Sequence, residues 1–337
     1  MSAAVAVTGA GAVIKRSQEP RRLPPDSALV IGPDGSIPLG HLPEAVRGRA
    51  ARAERVTQLV LAAAGRALAA AGLAAAAPET RAGIVLGTAF GCFLTNAAYQ
   101  RRLAAEGPPG ASPRLFAATV SNAAAGELAI AYRLGGPSVT LTAGAASGLV
   151  ALGHAADLVR AGDADAVVAG GADALDDDLR RWLAAGGLDC GRAPAEGAAL
   201  VVLEHADRAR GRAVLGTVEG VGAGFEPDPA GEGAGAGLAA AVATALEEAG
   251  LLPSEVRVVV SAAPPALAGL ERPVLGGLEP RTIVRPKDTF GETFGAAGTL
   301  GLLAALAAAP RGGALLVLDV CASGHVAALV ARAGDGA

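Results

Sequence analysis

The chain is poor in the side chains from which most nucleic-acid, metal and cofactor sites are built. Its 337 residues include one tryptophan, two tyrosines and six phenylalanines, too few for the stacking platforms that grip single strands. Lysine plus arginine total 28 against 32 acids, for a formal net charge of -4. No basic block is present, so no nucleic-acid partner is expected. The four histidines, His41, His154, His205 and His325, have no neighbour at metal-ligand spacing, and no metal is expected. Cys92, Cys190 and Cys321 are an odd and scattered set, which fits a reducing cytoplasm better than a disulfide framework. The longest apolar runs, such as Ala296 to Ala309, are too short and too rich in glycine and alanine to span a bilayer. No basic region precedes an apolar one at the N-terminus, so neither a secretory leader nor a membrane role is expected. Gly9 and Gly11 follow a first strand, as in a dinucleotide fingerprint, but the third glycine is missing at the required spacing. No cofactor is expected.

Alanine and glycine are what the chain has in quantity. Hydrophobic residues make up 52% and there are 48 glycines, enough for a large core in two domains or one layered domain. The stretch Gly135 to Asp173 organises the rest. Val139, Leu141 and Ala143 alternate with Thr140 and Thr142 as a short strand. Gly144 marks a sharp turn, and Ser147 is placed to cap a helix from Leu149 to Arg160. Asp165 to Ala169 is a second strand. Such an elbow lifts one side chain to a helix N-terminus, where negative charge is favoured and a nucleophile would sit. Here it offers Gly144, Ala145 and Ala146, so the geometry of a reactive site is predicted without its reactive group.

In chain order, Val5 to Val13 reads as a strand and Arg16 to Leu42 as irregular. Ala53 to Ala71 reads as a helix, Gly83 to Thr88 as a strand, and Phe90 to Ala105 and Phe116 to Leu134 as helical segments. Asp176 to Ala195 reads as a polar surface segment and Glu196 to Glu204 as a strand. A second series follows. It contains a strand from Ala213, a helix Leu238 to Ala249, a strand Val256 to Val260, a glycine elbow and helix in Thr289 to Ala309, and two last strands. Helix, Ala-Gly-Leu and strand occur twice, and the unit Gly144 to Gly171 is similar to Gly295 to Asp319. A duplicated α/β half accounts for both matches. The division is expected to leave residues 1–205 and 206–337 as two halves of one unit, with alanine-rich helices buried between them.

These residues resemble the β-ketoacyl synthases of the thiolase superfamily. The resemblance lies in Val5 to Gly11, Arg55 to Leu73, Asn122 to Gly126, Gly135 to Ser138, Gly153 to Ala156, Gly162 to Asp173 and Gly295 to Gly298. It implies a five-layered αβαβα fold and a dimer in which the edge strand Ser138 to Thr142, with Ser138 and Thr140, pairs across the two-fold. It also implies three losses. The family's nucleophilic cysteine corresponds to Ala145, one catalytic histidine to Ala263, and the second, which follows a lysine matching Lys287, to Glu292. The glycine-rich C-terminal motif is reduced to Cys321-Ala-Ser-Gly324.

One branch with this profile is the chain-length factor, a non-catalytic ketosynthase homologue of type II polyketide systems. The resemblance then implies a heterodimer with a catalytic ketosynthase and an acyl carrier protein that brings the growing chain. Phe93, Thr95, Ala97, Phe116, Val120 and Asn122 would line the acyl tunnel. Two other readings stay open: a stand-alone enzyme that uses Glu292 as base, and a structural homodimer. For single residues the plainer expectations are an ion pair between Lys287 and Glu292, a structural donor role for His154, and burial of Cys92 and Cys321 as small apolar groups. Arg101, Arg102, Arg180 and Arg181 are either a docking patch or solvated surface.

Overall fold

A computed structural model describes residues 4–15, 22–73, 80–188, 191–278 and 282–334; Cys190 lies outside them. The elements of the first series are β1 (Val5–Lys15), β2 (Ala28–Ile31), α1 (Glu44–Ala50), α2 (Arg55–Ala70), β3 (Ala82–Gly87), α3 (Phe93–Glu106), α4 (Pro113–Ala117), α5 (Ala123–Tyr132), β4 (Ser138–Leu141), α6 (Ser147–Arg160), β5 (Ala166–Asp173), α7 (Asp177–Ala185) and β6 (Gly197–His205). The second series holds β7 (Gly216–Phe225), α8 (Ala236–Ala249), β8 (Val256–Val260), α9 (Ala268–Leu278), β9 (Thr282–Val284), α10 (Pro286–Phe290), α11 (Ala297–Ala308), β10 (Ala314–Val320) and β11 (His325–Ala333).

Strand order shows the duplication directly. The first half runs β4-β3-β5-β6-β1 and the second runs β9-β8-β10-β11-β7. Replacing β1, β3, β4, β5 and β6 by β7, β8, β9, β10 and β11 converts one order into the other. In both halves the first three strands of that order are parallel, and the next two are joined antiparallel. The halves meet where Val5, Ala6 and Val7 of β1 pair with Val218, Thr217 and Gly216 of β7.

Helices fill three layers around the sheets. On one outside face α2 and α5 close an apolar cluster with Leu59, Leu61, Leu128 and Ile84. On the other, α8 and α9 close a cluster with Leu238, Leu270, Leu316 and Val330. Between the sheets lie α6 and α11, with Leu149, Leu152, Leu300 and Leu303 fully buried in the central cluster. Helices covered on every side need no polar face, and α11 has nine of its first ten residues apolar or glycine, with Thr299 the exception.

Small residues let these layers approach. Gly9 and Gly11 lie inside β1, where an added Cβ would collide with the carbonyls of Ala67 and Ala63 in α2. Their role is helix-on-sheet contact, which accounts for the incomplete dinucleotide pattern. Gly148 of α6 and Gly171 of β5 are pressed in the same way against the carbonyl of Gly295, just before α11.

Several local expectations are corrected. The irregular stretch before Leu42 contains β2, which pairs parallel with the end of β1. The polar segment from Asp176 contains α7: Asp176 Oδ1 accepts from Leu179 N–H at 2.7 Å, and Leu179 and Leu183 face inward. Helical period outweighed its surface polarity. The stretch after Ala262, to which the sequence assigned no element, contains α9, with Pro273 inside it. No helix among the described residues is long and apolar enough to cross a membrane.

Candidate functional site

The expected elbow is present between β4 and α6. Gly144 has φ of +56°, a left-handed conformation that glycine adopts without penalty. A Cβ at this position would also fall inside the van der Waals envelope of Cys321 Sγ. Ala145 follows, buried, with its methyl where the resemblance puts a nucleophile, and its N–H donates to Cys321 Sγ at 3.3 Å. The N-cap residue is Ala146, not Ser147, which is the first residue of α6. The Ser147 hydroxyl turns back into the elbow. Its Oγ accepts from Ala143 N–H at 2.7 Å and lies 2.6 Å from the Gly144 carbonyl and 3.0 Å from that of Thr88. Fully buried and bound to backbone alone, it braces the turn.

Beneath the elbow lie buried acids, one of which ties the halves together. Asp173, at the end of β5, is fully buried. Its carboxylate accepts from Thr88 Oγ1 at 2.7 Å and from the N–H groups of Ala89, Phe90 and Gly295 at 2.9, 2.9 and 2.8 Å. Burial pushes its pKa up to about 6 against the lowering effect of these donors. In the second half Lys287 Nζ lies 2.9 Å from Glu292 Oε2 and 3.3 Å from Asp319 Oδ1. Burial alone would lower the lysine pKa, but attraction from Asp319 and Glu292 outweighs it and keeps the ammonium charged. Asp319 is pushed up to about 7, by burial first, with Lys287 opposing and Glu292 adding. Its Oδ2 has no hydrogen-bond partner among the described residues. Glu292 Oε1 accepts from Phe294 N–H at 2.9 Å, so both oxygens of Glu292 are engaged.

Ala263, in the loop after β8, is buried, and its N–H donates to Glu271 Oε1 at 2.9 Å. Glu271 also takes Ala262 N–H and the Ser261 hydroxyl, which fixes this loop from α9. Among the described residues no cluster of histidine, cysteine and acids has metal-binding geometry.

The proposed wall residues divide. Thr95 is buried and lines a narrow cleft with Val120, Cys92 and Thr57. Val120 and Asn122 line a broader open depression of about 550 Å³ with Arg114 and Ile130. Phe93 stands on α3 with its ring 6.1 Å from Trp182, and Phe116 has its ring 5.9 Å from Tyr99. Ala97 is half-buried on α3 and lines neither space. Ser138 is exposed and Thr140 half-buried on β4, the outermost strand of its half.

Other single-residue expectations fare unevenly. His154 is exposed on α6. Cys92 is buried, and its thiol donates to the Thr119 carbonyl. Cys321 is only partly buried, because it begins the turn after β10. Arg101 and Arg181 pair with Asp178, Arg102 pairs with Glu106, and Arg180 donates to the Pro194 carbonyl. Asp173, Asp319 and Glu271 escaped the sequence reading as site residues. Only an acid closing an apolar strand, as in Ala-Gly-Gly-Ala-Asp173 and Leu-Val-Leu-Asp319, signals such burial.

Comparison with known proteins agrees with this architecture. Residues 43–188 match the family model of the β-ketoacyl synthase N-terminal domain. The chain is 34% identical to the actinorhodin polyketide putative beta-ketoacyl synthase 2 of Streptomyces coelicolor, over 81% of this chain and 73% of that protein. It is 30% identical to the tetracenomycin polyketide synthase ketoacyl synthase beta subunit of Streptomyces glaucescens, over 75% of this chain and 68% of the relative. The solved ishigamide ketosynthase/chain length factor superposes with a TM-score of 0.76 at 26% identity, covering 98% of this chain and 99% of the other. The chain therefore belongs to the β-ketoacyl synthase family, and its likeness is to the chain-length-factor-like β subunits of type II polyketide synthases.

Proposed function

We propose that this chain is a non-condensing subunit that pairs with a catalytic ketosynthase and shapes the acyl tunnel where the two meet. The observation that carries the reading is the elbow. Its glycine turn, its serine brace and its helix N-terminus are all built, yet it presents the methyl of Ala145. A methyl cannot attack a thioester, and Ala263 and Glu292 stand where the resemblance calls for histidines. Removing one member of a unit of this kind already costs most of the rate. A stand-alone enzyme with Glu292 as base is disfavoured, since that carboxylate is buried, held by Lys287 and the Phe294 N–H.

Pairing is supported by the surface around β4. The outer edge of this strand has no strand partner among the described residues. Phe116, Val120 and Ile130 are exposed by 63%, 52% and 60% on neighbouring segments. An open edge beside exposed apolar side chains invites another chain. In this reading Ser138 and Thr140 lie in the pairing strand, and Phe93, Thr95, Ala97, Phe116, Val120 and Asn122 contribute to the tunnel wall. The growing chain arrives on an acyl carrier protein in the cytoplasm, and large side chains in the wall shorten it by exclusion from an apolar channel.

The test is co-expression with a cysteine-containing ketosynthase from the same gene neighbourhood, with mass and stoichiometry read after purification. A one-to-one complex that Val120→Asp weakens is the expected result. A stable homodimer that ignores the ketosynthase would overturn the reading.

A further inference from the structure

The turn that replaces the glycine-rich motif carries three reactive side chains in alternate positions, Cys321, Ser323 and His325. The Gly324 N–H closes this turn on the Cys321 carbonyl at 2.9 Å, and the Cys321 N–H donates to the His325 carbonyl at 3.0 Å. The Ser323 hydroxyl lies 3.2 Å from Cys321 Sγ and 3.0 Å from His325 Nδ1. A hydroxyl both accepts and donates, so thiol, hydroxyl and imidazole form a continuous path for a proton. From the other half of the chain, the Ala145 N–H at the head of α6 points at the same sulfur. Gly144 leaves the space in which that sulfur sits. Beside the turn, the Phe225 ring is 55% exposed and packs edge-on against the His325 ring at 5.4 Å.

We infer that Cys321, set against the elbow where Ala145 offers no nucleophile, is a nucleophilic thiol which takes an acyl group from an acyl thioester. The thiol proton passes through Ser323 to His325. Sulfur attacks the thioester carbonyl, and the Ala145 N–H stabilises the oxyanion at the helix head. The carbon–sulfur bond to the incoming thiol carrier breaks, the carrier leaves as thiolate, and His325 returns the proton to it. The products are S-acyl Cys321 and a free carrier thiol, with no net redox change. The exposed Phe225 ring offers the acyl chain an apolar seat. No carbon–carbon bond forms, since nothing at Ala263 or Glu292 supplies the family's histidines. The choice of an acyl thioester rests on the function proposed above.

The purified full chain, without any ketosynthase, is incubated with octanoyl-N-acetylcysteamine, and adducts are followed by intact mass and peptide mapping. We expect a single octanoyl group on Cys321, absent in Cys321→Ser. Loss of a general base removes about a hundredfold of rate, so His325→Gln should slow acylation by that order. Ser323→Ala should slow it at least about tenfold, on the same ground. Ser323 is exposed on the turn, which keeps the test open should His325→Gln fail to fold. No adduct on Cys321 under conditions that acylate glutathione would overturn the inference. So would a Cys321 rate that neither substitution changes. Neither result depends on whether the chain pairs with a ketosynthase.

Discussion

A methyl group added at Gly144 should be felt by a residue 177 positions away. Gly144→Ala places a Cβ on a backbone with φ of +56°. The left-handed region costs a side chain about 1–2 kcal/mol. The same Cβ overlaps Cys321 Sγ, and forcing an extra methyl into a packed site costs roughly 1–3 kcal/mol. The single variant should therefore lose about 2–5 kcal/mol. Cys321→Ala removes the sulfur and leaves the Cys321 Cβ at 3.5 Å from the new methyl, an ordinary contact. In that background the backbone cost and a lesser contact with the Ser323 hydroxyl, 3.1 Å from the new Cβ, should remain, so the coupling between the two positions should be about 1–3 kcal/mol. Urea denaturation of wild type, both single variants and the double variant measures it. Additive losses would refute the close approach of sulfur and elbow, and with it the placement of Cys321 at the head of α6.

Three further outcomes are expected. Ala145→Cys alone should give no condensing activity in a radiolabelled elongation assay, because the positions at Ala263 and Glu292 stay unfilled; robust product from that single change would show that the losses are not limiting. The native Asp173 carboxyl keeps its proton to about pH 6, above the unfolded value near 4, so its contribution to stability is full below pH 4 and is lost as pH rises through 6. The difference corresponds to roughly 3 kcal/mol, and Asp173→Asn, which does not titrate, should show a shallower fall in urea midpoint between pH 4 and 7 than wild type; parallel profiles would remove Asp173 as the source. Lys287→Met strands two buried carboxylates and should cost about 3–5 kcal/mol at pH 8, and less at pH 5, where Asp319 takes up a proton; a loss independent of pH would show that Asp319 stays ionised in the native state.

The fold was legible in the sequence wherever a pattern repeats. Two copies of helix, Ala-Gly-Leu and strand, and two elbows followed by apolar helices, describe halves whose strand orders superimpose. The elbow was also legible, because Gly144-Ala-Ala-Ser is a local motif whose turn can be read from neighbours in sequence. What could not be read depends on partners distant along the chain. Cys321 has the composition of a buried small residue, and only its meeting with Ala145 across 176 positions gives it a setting. Ser147 has the identity of a cap, but the approach of Ala143 and Thr88 redirects its hydroxyl. Buried acids were missed for the same reason: Asp173 ends a strand like many surface acids, until Gly295 and the backbone after β3 converge on it. Helix α7 was hidden by its charged face, which concealed the spacing of Leu179 and Leu183.

The contact of Gly148 and Gly171 with the Gly295 carbonyl has a consequence for how the chain can be divided. A cut in the exposed connector between β6 and β7 would sever the backbone at Arg208 or Arg210 without touching this crossing. Each fragment would keep one complete sheet order but would bare its face of the central layer, with α6 on one and α11 on the other. Neither surface can be covered by larger side chains, because glycine is what lets the opposite half come close. The fragments should therefore remain joined after nicking, and either one expressed alone should be insoluble until the other is supplied.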